Sequence, residues 1–135
     1  MNTLVLPTGP ALATLATVLL LFLTAANVGR ARATYGVAAP ATSGHPQFDI
    51  AFRIQMNTIE GAMMFLPALW ICALAFSASW ATALAGLWLI GRVWYALAYT
   101  RSPKTRGGGF LTSMLAFGAL AVLGSIGVLR AAAGG

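Results

Sequence analysis

Apolar residues fill four long stretches of this chain, about Pro10–Gly29, Phe48–Phe76, Trp80–Tyr99 and Phe110–Leu129. Each is long enough to cross a bilayer, which takes roughly 20 apolar residues as a helix. Polar punctuation separates them. Arg30–Gln47 holds Pro40, Ser43, Gly44 and Pro46, the residues of a loop. Ser77, Ala78 and Ser79 make a very short turn, so the second and third spans are expected to be antiparallel neighbours. TRSPKTRGGG, from Thr100 to Gly109, is a basic loop. Pro10 suits the first turn of a helix, and Pro67 is expected to kink the second span, which neighbouring helices tolerate in a membrane. The pattern predicts an all-α integral membrane protein, a four-helix bundle forming a single domain over residues 1–135, with no room for an extramembrane domain.

Composition agrees. The 135 residues are 59% hydrophobic and 7% charged, with a mean hydropathy of +0.84, whereas soluble domains carry about 25% charged residues. The net charge of +6 would raise nucleic acid as a partner for a soluble chain. Here the basic residues flank apolar runs, which is the pattern of membrane orientation, so nucleic acid is excluded. With four spans, the first and third loops share a side that holds Arg30, Arg32, Arg101, Lys104 and Arg106, against Arg130 near the other. The positive-inside rule puts both loops in the cytoplasm and both termini opposite, in a bacterial inner membrane by the small loops and the Ala and Gly content. Met1–Pro10 has no Lys or Arg, so the first run is expected to be a retained helix rather than a signal peptide. Cys72 is the single cysteine, so neither an intrachain disulfide nor a metal cluster is expected.

Three ionisable residues nevertheless sit well inside spans: Arg53, Glu60 and Arg92. Each costs about 2.5–3.5 kcal/mol on insertion scales and marks function by default. Arg53, Asn57 and Glu60 fall at i, i+4 and i+7, on one helix face. Arg92, Tyr95 and Tyr99 do the same at i, i+3 and i+7. Glu60 lies roughly 18 Å and Arg92 roughly 12 Å from the cytoplasmic side at 1.5 Å per residue, so the two stripes can meet in a polar cleft. A self-contained network is the alternative, Arg92 pairing with Glu60 and Arg53 with Asp49. Against it stands the charge count at the cleft and its mouth: Arg53, Arg92, Arg101, Lys104 and Arg106 against Asp49 and Glu60. Buried charges need partners, and an anionic ligand would supply them.

The segment GHPQFDIAFRIQMNTIE, Gly44 to Glu60, resembles the signature of the membrane-associated proteins in eicosanoid and glutathione metabolism, the MAPEG family. Gly44, Phe48, Phe52, Gln55 and Asn57 fit the family pattern, and Arg53 and Glu60 match the Arg and Glu of its glutathione-binding members. Asp49 replaces a Glu, Ile50 an Arg, Ala51 a Val, Ile54 an Ala and Thr58 a Cys, and Gly61 stands where leukotriene C synthases have a ligand-contacting Tyr. A second block, GRVWYALAYTRSPKTR from Gly91 to Arg106, is similar to the same branch, with Arg92, Tyr95, Tyr99 and Arg106 at the positions of its ligand-contacting Arg, two Tyr and thiol-activating Arg.

The resemblance implies a membrane-bound glutathione transferase, assembled as a homotrimer of four-helix subunits with the ligand between neighbouring copies. Small residues such as Ala81, Ala83, Ala85, Gly86, Gly118 and Gly124 permit close helix approach. Glutathione is the implied co-substrate, and no metal is implied. Arg53 and Arg92 would take its carboxylates and Glu60 its ammonium. Gln55 and Asn57 would bond its peptide groups, Tyr95 and Tyr99 would line the cleft, and Arg106 would hold the thiol as thiolate, with Arg101 and Lys104 as alternatives. The second substrate would be a lipophilic electrophile from the bilayer, with lipid hydroperoxide reduction as a side activity. Two rival functions are a non-catalytic ligand-binding member of the family and a small multidrug transporter. The transporter has its essential membrane Glu in the first span, where this chain has no acid. Met63 and Met64 are expected to pack, Cys72 to be inert, and the lone His45 receives no role.

Overall fold

A computed structural model of the chain describes residues 5–134. It consists of four α-helices: α1 Thr8–Tyr35, α2 Pro46–Ala75, α3 Ala78–Arg101 and α4 Gly107–Gly134, with a 3-10 turn at Pro103–Thr105. At 24 to 30 residues the helices are roughly 36–45 Å long, longer than the ~30 Å hydrocarbon core. All four are long and apolar enough to cross a membrane, and the protein is an integral, multi-pass membrane protein. Helix α2 is central and packs on α1, α3 and α4, while α3 and α4 form the most extensive seam.

Two boundaries differ from the sequence pattern. The stretch expected to be loop from Arg30 continues as helix to Tyr35. Arginine and alanine are good helix formers, and the helix stops only where Gly36 adopts φ 70° and its N–H bonds the Arg32 carbonyl, a left-handed C-terminal cap. The glycine triplet expected in the third loop is instead the first turn of α4. Its third member explains this. A Cβ on Gly109 would meet the Tyr95 backbone and, at 2.7 Å, the Gly91 carbonyl oxygen; one on Gly91 would meet the Ser113 nitrogen at 2.8 Å. These glycines let the α3 and α4 backbones touch, the small-residue packing that membrane helices use in place of a hydrophobic driving force. Helix α2 runs unbroken through Pro67.

Side chains cap the N-termini of α2 and α3. The Ser77 hydroxyl accepts from the Trp80 N–H at 3.2 Å. His45, silent in the sequence, accepts from the Gln47 N–H at 3.1 Å through Nδ1 and stacks on Tyr35 at 4.3 Å, joining the ends of α1 and α2. Arg32 closes the same corner, donating to the Ala41 carbonyl at 2.7 Å with its guanidinium 4.9 Å from the Phe48 ring.

The interior is mostly apolar. Phe65 of α2 stacks on Trp88 of α3, centroids 3.9 Å apart, among buried Leu69, Cys72, Ala81, Ala85, Ala116 and Leu120. Buried hydroxyls return to their own helix: Thr17 donates to the Ala13 carbonyl at 2.8 Å and Thr58 to Ile54 at 2.7 Å. Trp70 Nε1 donates to the Thr14 hydroxyl at 3.0 Å, tying α2 to α1. The outside is apolar: Leu15, Phe22, Leu74, Leu115 and Leu129 are all exposed, as befits helices solvated by lipid.

Candidate functional site

The polar residues of α2 divide between two faces. Arg53 and Glu60 are exposed. With Thr42, Ser43, Asp49, Phe52 and Met56 they line an open cleft of about 450 Å³ on the flank of α2. Asp49 is held at its mouth, accepting from the Gly44 N–H at 3.2 Å. Asn57 lies about 40° further round the helix at 100° per residue and turns inward to α3.

There it meets Arg92, the most buried charge of the chain at 1% exposure. One Arg92 Nη donates to Asn57 Oδ1 at 2.6 Å; Nε and the other Nη donate to the Ser113 hydroxyl of α4 at 3.1 and 2.8 Å. The Ser113 hydroxyl in turn donates to the Phe110 carbonyl at 2.9 Å. The guanidinium also lies 4.8 Å from the Tyr95 ring and 5.7 Å from Phe110, contacts worth up to about 2 kcal/mol when desolvated. The hydrogen-bond partners of Arg92 are thus neutral and come from α2 and α4. The self-contained network offered a carboxylate pair, Arg92 with Glu60, and the geometry builds a different one. Ser113 was the residue missed. Its only signal is a polar side chain inside an apolar run, a usual mark of a helix contact in membranes.

Tyr95 and Tyr99 pack edge to face at 5.6 Å, buried against Ile54 of α2. Arg106, just beyond the 3-10 turn, sets its guanidinium 4.8 Å from the Tyr99 ring. Arg92 lies 4.8 Å from the Tyr95 ring on the other side of the pair, while Arg53 stays on the cleft face of α2. Ile54 of α2, Arg92 of α3 and Arg106 of the α3–α4 loop therefore meet this tyrosine pair, and two of them are cations.

Gln55 stands apart. It is half-buried and lies two residues from both Arg53 and Asn57, about 200° round the helix from each, so within one chain it faces away from the cleft. Gly61 borders the cluster, where a Cβ would meet the Arg92 guanidinium carbon and Trp88 at 3.7 Å. Among the described residues, no group of three or more His, Cys, Asp or Glu is placed to hold a metal.

The MAPEG family model matches residues 10–126. An uncharacterized protein of Synechocystis sp. is 42% identical over 106 residues, covering 78% of this chain and 77% of its own. Microsomal glutathione S-transferase 2 of Bos taurus is 36% identical over 106 residues (78% of this chain, 73% of its own). Leukotriene C4 synthase of Rattus norvegicus is 37% identical over 100 residues (73% of this chain, 66% of its own). With a four-span bundle and a family match running through all four helices, this chain belongs to the MAPEG family.

Proposed function

We propose that this protein is a membrane-bound glutathione transferase that joins the glutathione thiolate to lipophilic electrophiles. The observation that carries the proposal is a set of guanidiniums on neighbouring elements: Arg53 in an open polar cleft with Asp49 and Glu60, Arg92 4.8 Å from the Tyr95 ring, and Arg106 4.8 Å from the ring of Tyr99, which packs on Tyr95. Three guanidiniums in the membrane half of a bundle form an anion receptor, and glutathione has two carboxylates and a thiol that can ionise. Its length also suits the cleft. A tripeptide spans at most about 10–11 Å extended, and Arg53 and Glu60 are separated by roughly 10 Å of helix rise. Arg53 then holds a carboxylate and Glu60 the ammonium, while Asn57 and the phenols of Tyr95 and Tyr99 bond the peptide and the thiol end. Arg92 contributes charge and holds Asn57 in place, and takes a carboxylate itself if one of its neutral partners gives way. Gln55 reaches the same ligand only from a neighbouring copy, which favours a site shared between subunits of a homotrimer.

The chemistry is simple. The thiol, with an ordinary pKa of about 8.5, loses its proton to water beside Arg106, whose guanidinium stabilises the anion. Sulfur attacks an electrophilic carbon, and the leaving group departs or an opened epoxide oxygen takes a proton. With a lipid hydroperoxide the same thiolate reduces the O–O bond: two glutathiones are oxidised to the disulfide as the peroxide becomes alcohol and water. Charge asymmetry favours loops one and three in the cytoplasm, where glutathione is available, both termini opposite, and a bacterial inner membrane. The named relatives, a glutathione S-transferase and a leukotriene synthase, support the reading.

The test is a titration of the detergent-purified protein with glutathione, following thiolate absorbance and proton release. A saturable thiolate signal that disappears in Arg106→Ala and weakens in Glu60→Gln is expected. Binding without a thiolate signal would instead identify a non-catalytic ligand-binding member, and absence of binding would refute the glutathione site.

A further inference from the structure

A second groove lies on the outer face of α3 and shares no residue with the cleft on α2. It has a volume of about 790 Å³ and is open along its length. Ile90, Val93, Trp94 and Leu97 form its apolar part, and Arg101 and Thr105 close its end at the 3-10 turn. The apolar side chains are well exposed, Ile90 by 65% and Leu97 by 59%. Trp94 is leaned against the start of α4 where Gly108 leaves it room: a Cβ there would meet the indole at 2.7 Å.

Shape and charge together select an occupant. The groove follows the axis of α3 for about twelve residues, roughly 18 Å of rise, a little more than half of the ~30 Å hydrocarbon core. Its polar end is at the membrane boundary and its apolar end in the interior, the orientation of a lipid standing in its own leaflet. Arg101 is available at the polar end. Among the described residues, the other arginines outside the α2 cleft have partners: Arg30 bonds Asn27, Arg32 the Ala41 carbonyl, and Arg92 Ser113, while Arg106 and Arg130 lie over Tyr99 and Phe76. Arg101 has no such hydrogen bond or ring contact. The Ala98 and Ser102 carbonyls at the end of α3, which would repel an anion, accept from the Ser102 and Thr105 backbone N–H groups at 2.8 and 3.0 Å, and the single proton of the Thr105 hydroxyl is shared between them.

We infer that this groove is a binding site for one anionic phospholipid of the surrounding leaflet, its acyl chain along Ile90–Leu97 and its phosphate on Arg101. A basic residue at the interface beside an apolar slot is the usual recognition element for an acidic headgroup. The site is independent of the proposed transferase chemistry.

The experiment is tryptophan quenching in phosphatidylcholine vesicles containing a small fraction of lipid brominated on its acyl chain. Brominated phosphatidylglycerol should quench more than brominated phosphatidylcholine at equal mole fraction, reflecting about a fivefold local enrichment for one interfacial charge. Trp94→Phe and Arg101→Gln should each remove that excess. Arg101→Lys should keep it, which separates loss of lipid from loss of fold, and so should Lys104→Gln, whose exposed side chain is outside the groove. Equal quenching by the two lipids would overturn the inference, whether the groove takes a neutral lipophile or nothing. An excess that survives Arg101→Gln, or vanishes equally in Lys104→Gln, would overturn it as well, since either would report a general basic surface.

Discussion

Replacing Ser113 with alanine removes one hydroxyl that serves two donors of a charged group. In the native protein its oxygen accepts from Arg92 Nε and Nη at 3.1 and 2.8 Å, and Arg92 is only 1% exposed. Water cannot reach in to replace it, and among the other partners only Asn57 remains. Hydrogen bonds to charged groups are worth about 1.5–3 kcal/mol. Polar contacts between membrane helices average nearer about 0.6 kcal/mol, because the separated helices find other partners. A full guanidinium has fewer substitutes than a neutral side chain, so a loss of about 2 kcal/mol is expected for Ser113→Ala. Arg92→Met removes the charge and leaves Ser113 satisfied by the Phe110 carbonyl. The double variant should lie within about 0.5 kcal/mol of Arg92→Met, because Asn57 Oδ1 has lost its Arg92 donor in both and the further loss of Ser113 leaves no additional donor unsatisfied. The assay is reversible unfolding in mixed micelles, carried through the whole cycle of single and double variants. The coupling between the sites should be about 1.5–2 kcal/mol. Additive costs, with a coupling below about 0.5 kcal/mol, would refute the assignment of Ser113 as the anchor of Arg92.

Other consequences can be measured in the same preparations. Gly91→Ala and Gly109→Ala force a Cβ into backbone across the α3–α4 seam and should each cost more than about 2 kcal/mol, whereas Gly86→Ala, whose Cβ would meet nothing within 4 Å, should be neutral or gain about 0.5–1 kcal/mol from helix propensity. Gly61→Ala should be tolerated too, since its Cβ makes only ordinary contacts at 3.7 Å, and glutathione binding should survive it. In Arg106→Ala the thiol loses the cation that holds its anion, so conjugation rate should rise with pH towards about 8.5; in the native protein the rise should be complete at lower pH, and coincident pH profiles would remove Arg106 from thiol activation. Trp70→Phe breaks the bond to Thr14 and should cost about 1 kcal/mol, seen as a lower unfolding midpoint.

Much of the architecture is legible because a bilayer leaves few choices. Backbone groups must be bonded within the segment, so an apolar run of sufficient length is a helix, and a three-residue turn such as Ser77–Ser79 forces its helices to be neighbours. The charged stripes are legible for the same reason. Arg53, Glu60 and Arg92 are costly in lipid, and their spacing alone assigns each to a helix face. Boundaries were less legible. Over Arg30–Tyr35 the helix propensity of arginine and alanine competes with a polar composition that reads as loop, and the glycines at 107–109 read as a loop when their neighbours are unknown.

The amino-acid sequence by itself determined that this chain lives in a membrane, that it crosses four times, and which few polar side chains must share its interior. Hydropathy, charge and helical period act over one or two turns, and that range suffices for those conclusions. Tertiary structure alone decided which residues meet across helices. It gave Arg92 to Asn57 and Ser113 instead of Glu60, set Arg92 and Arg106 against the paired rings of Tyr95 and Tyr99, turned Gln55 away, and made Gly91 and Gly109 the contact of two backbones. Those outcomes depend on the rotation and crossing of whole helices, which are set by the summed packing of many small side chains, and no single stretch of sequence contains that sum.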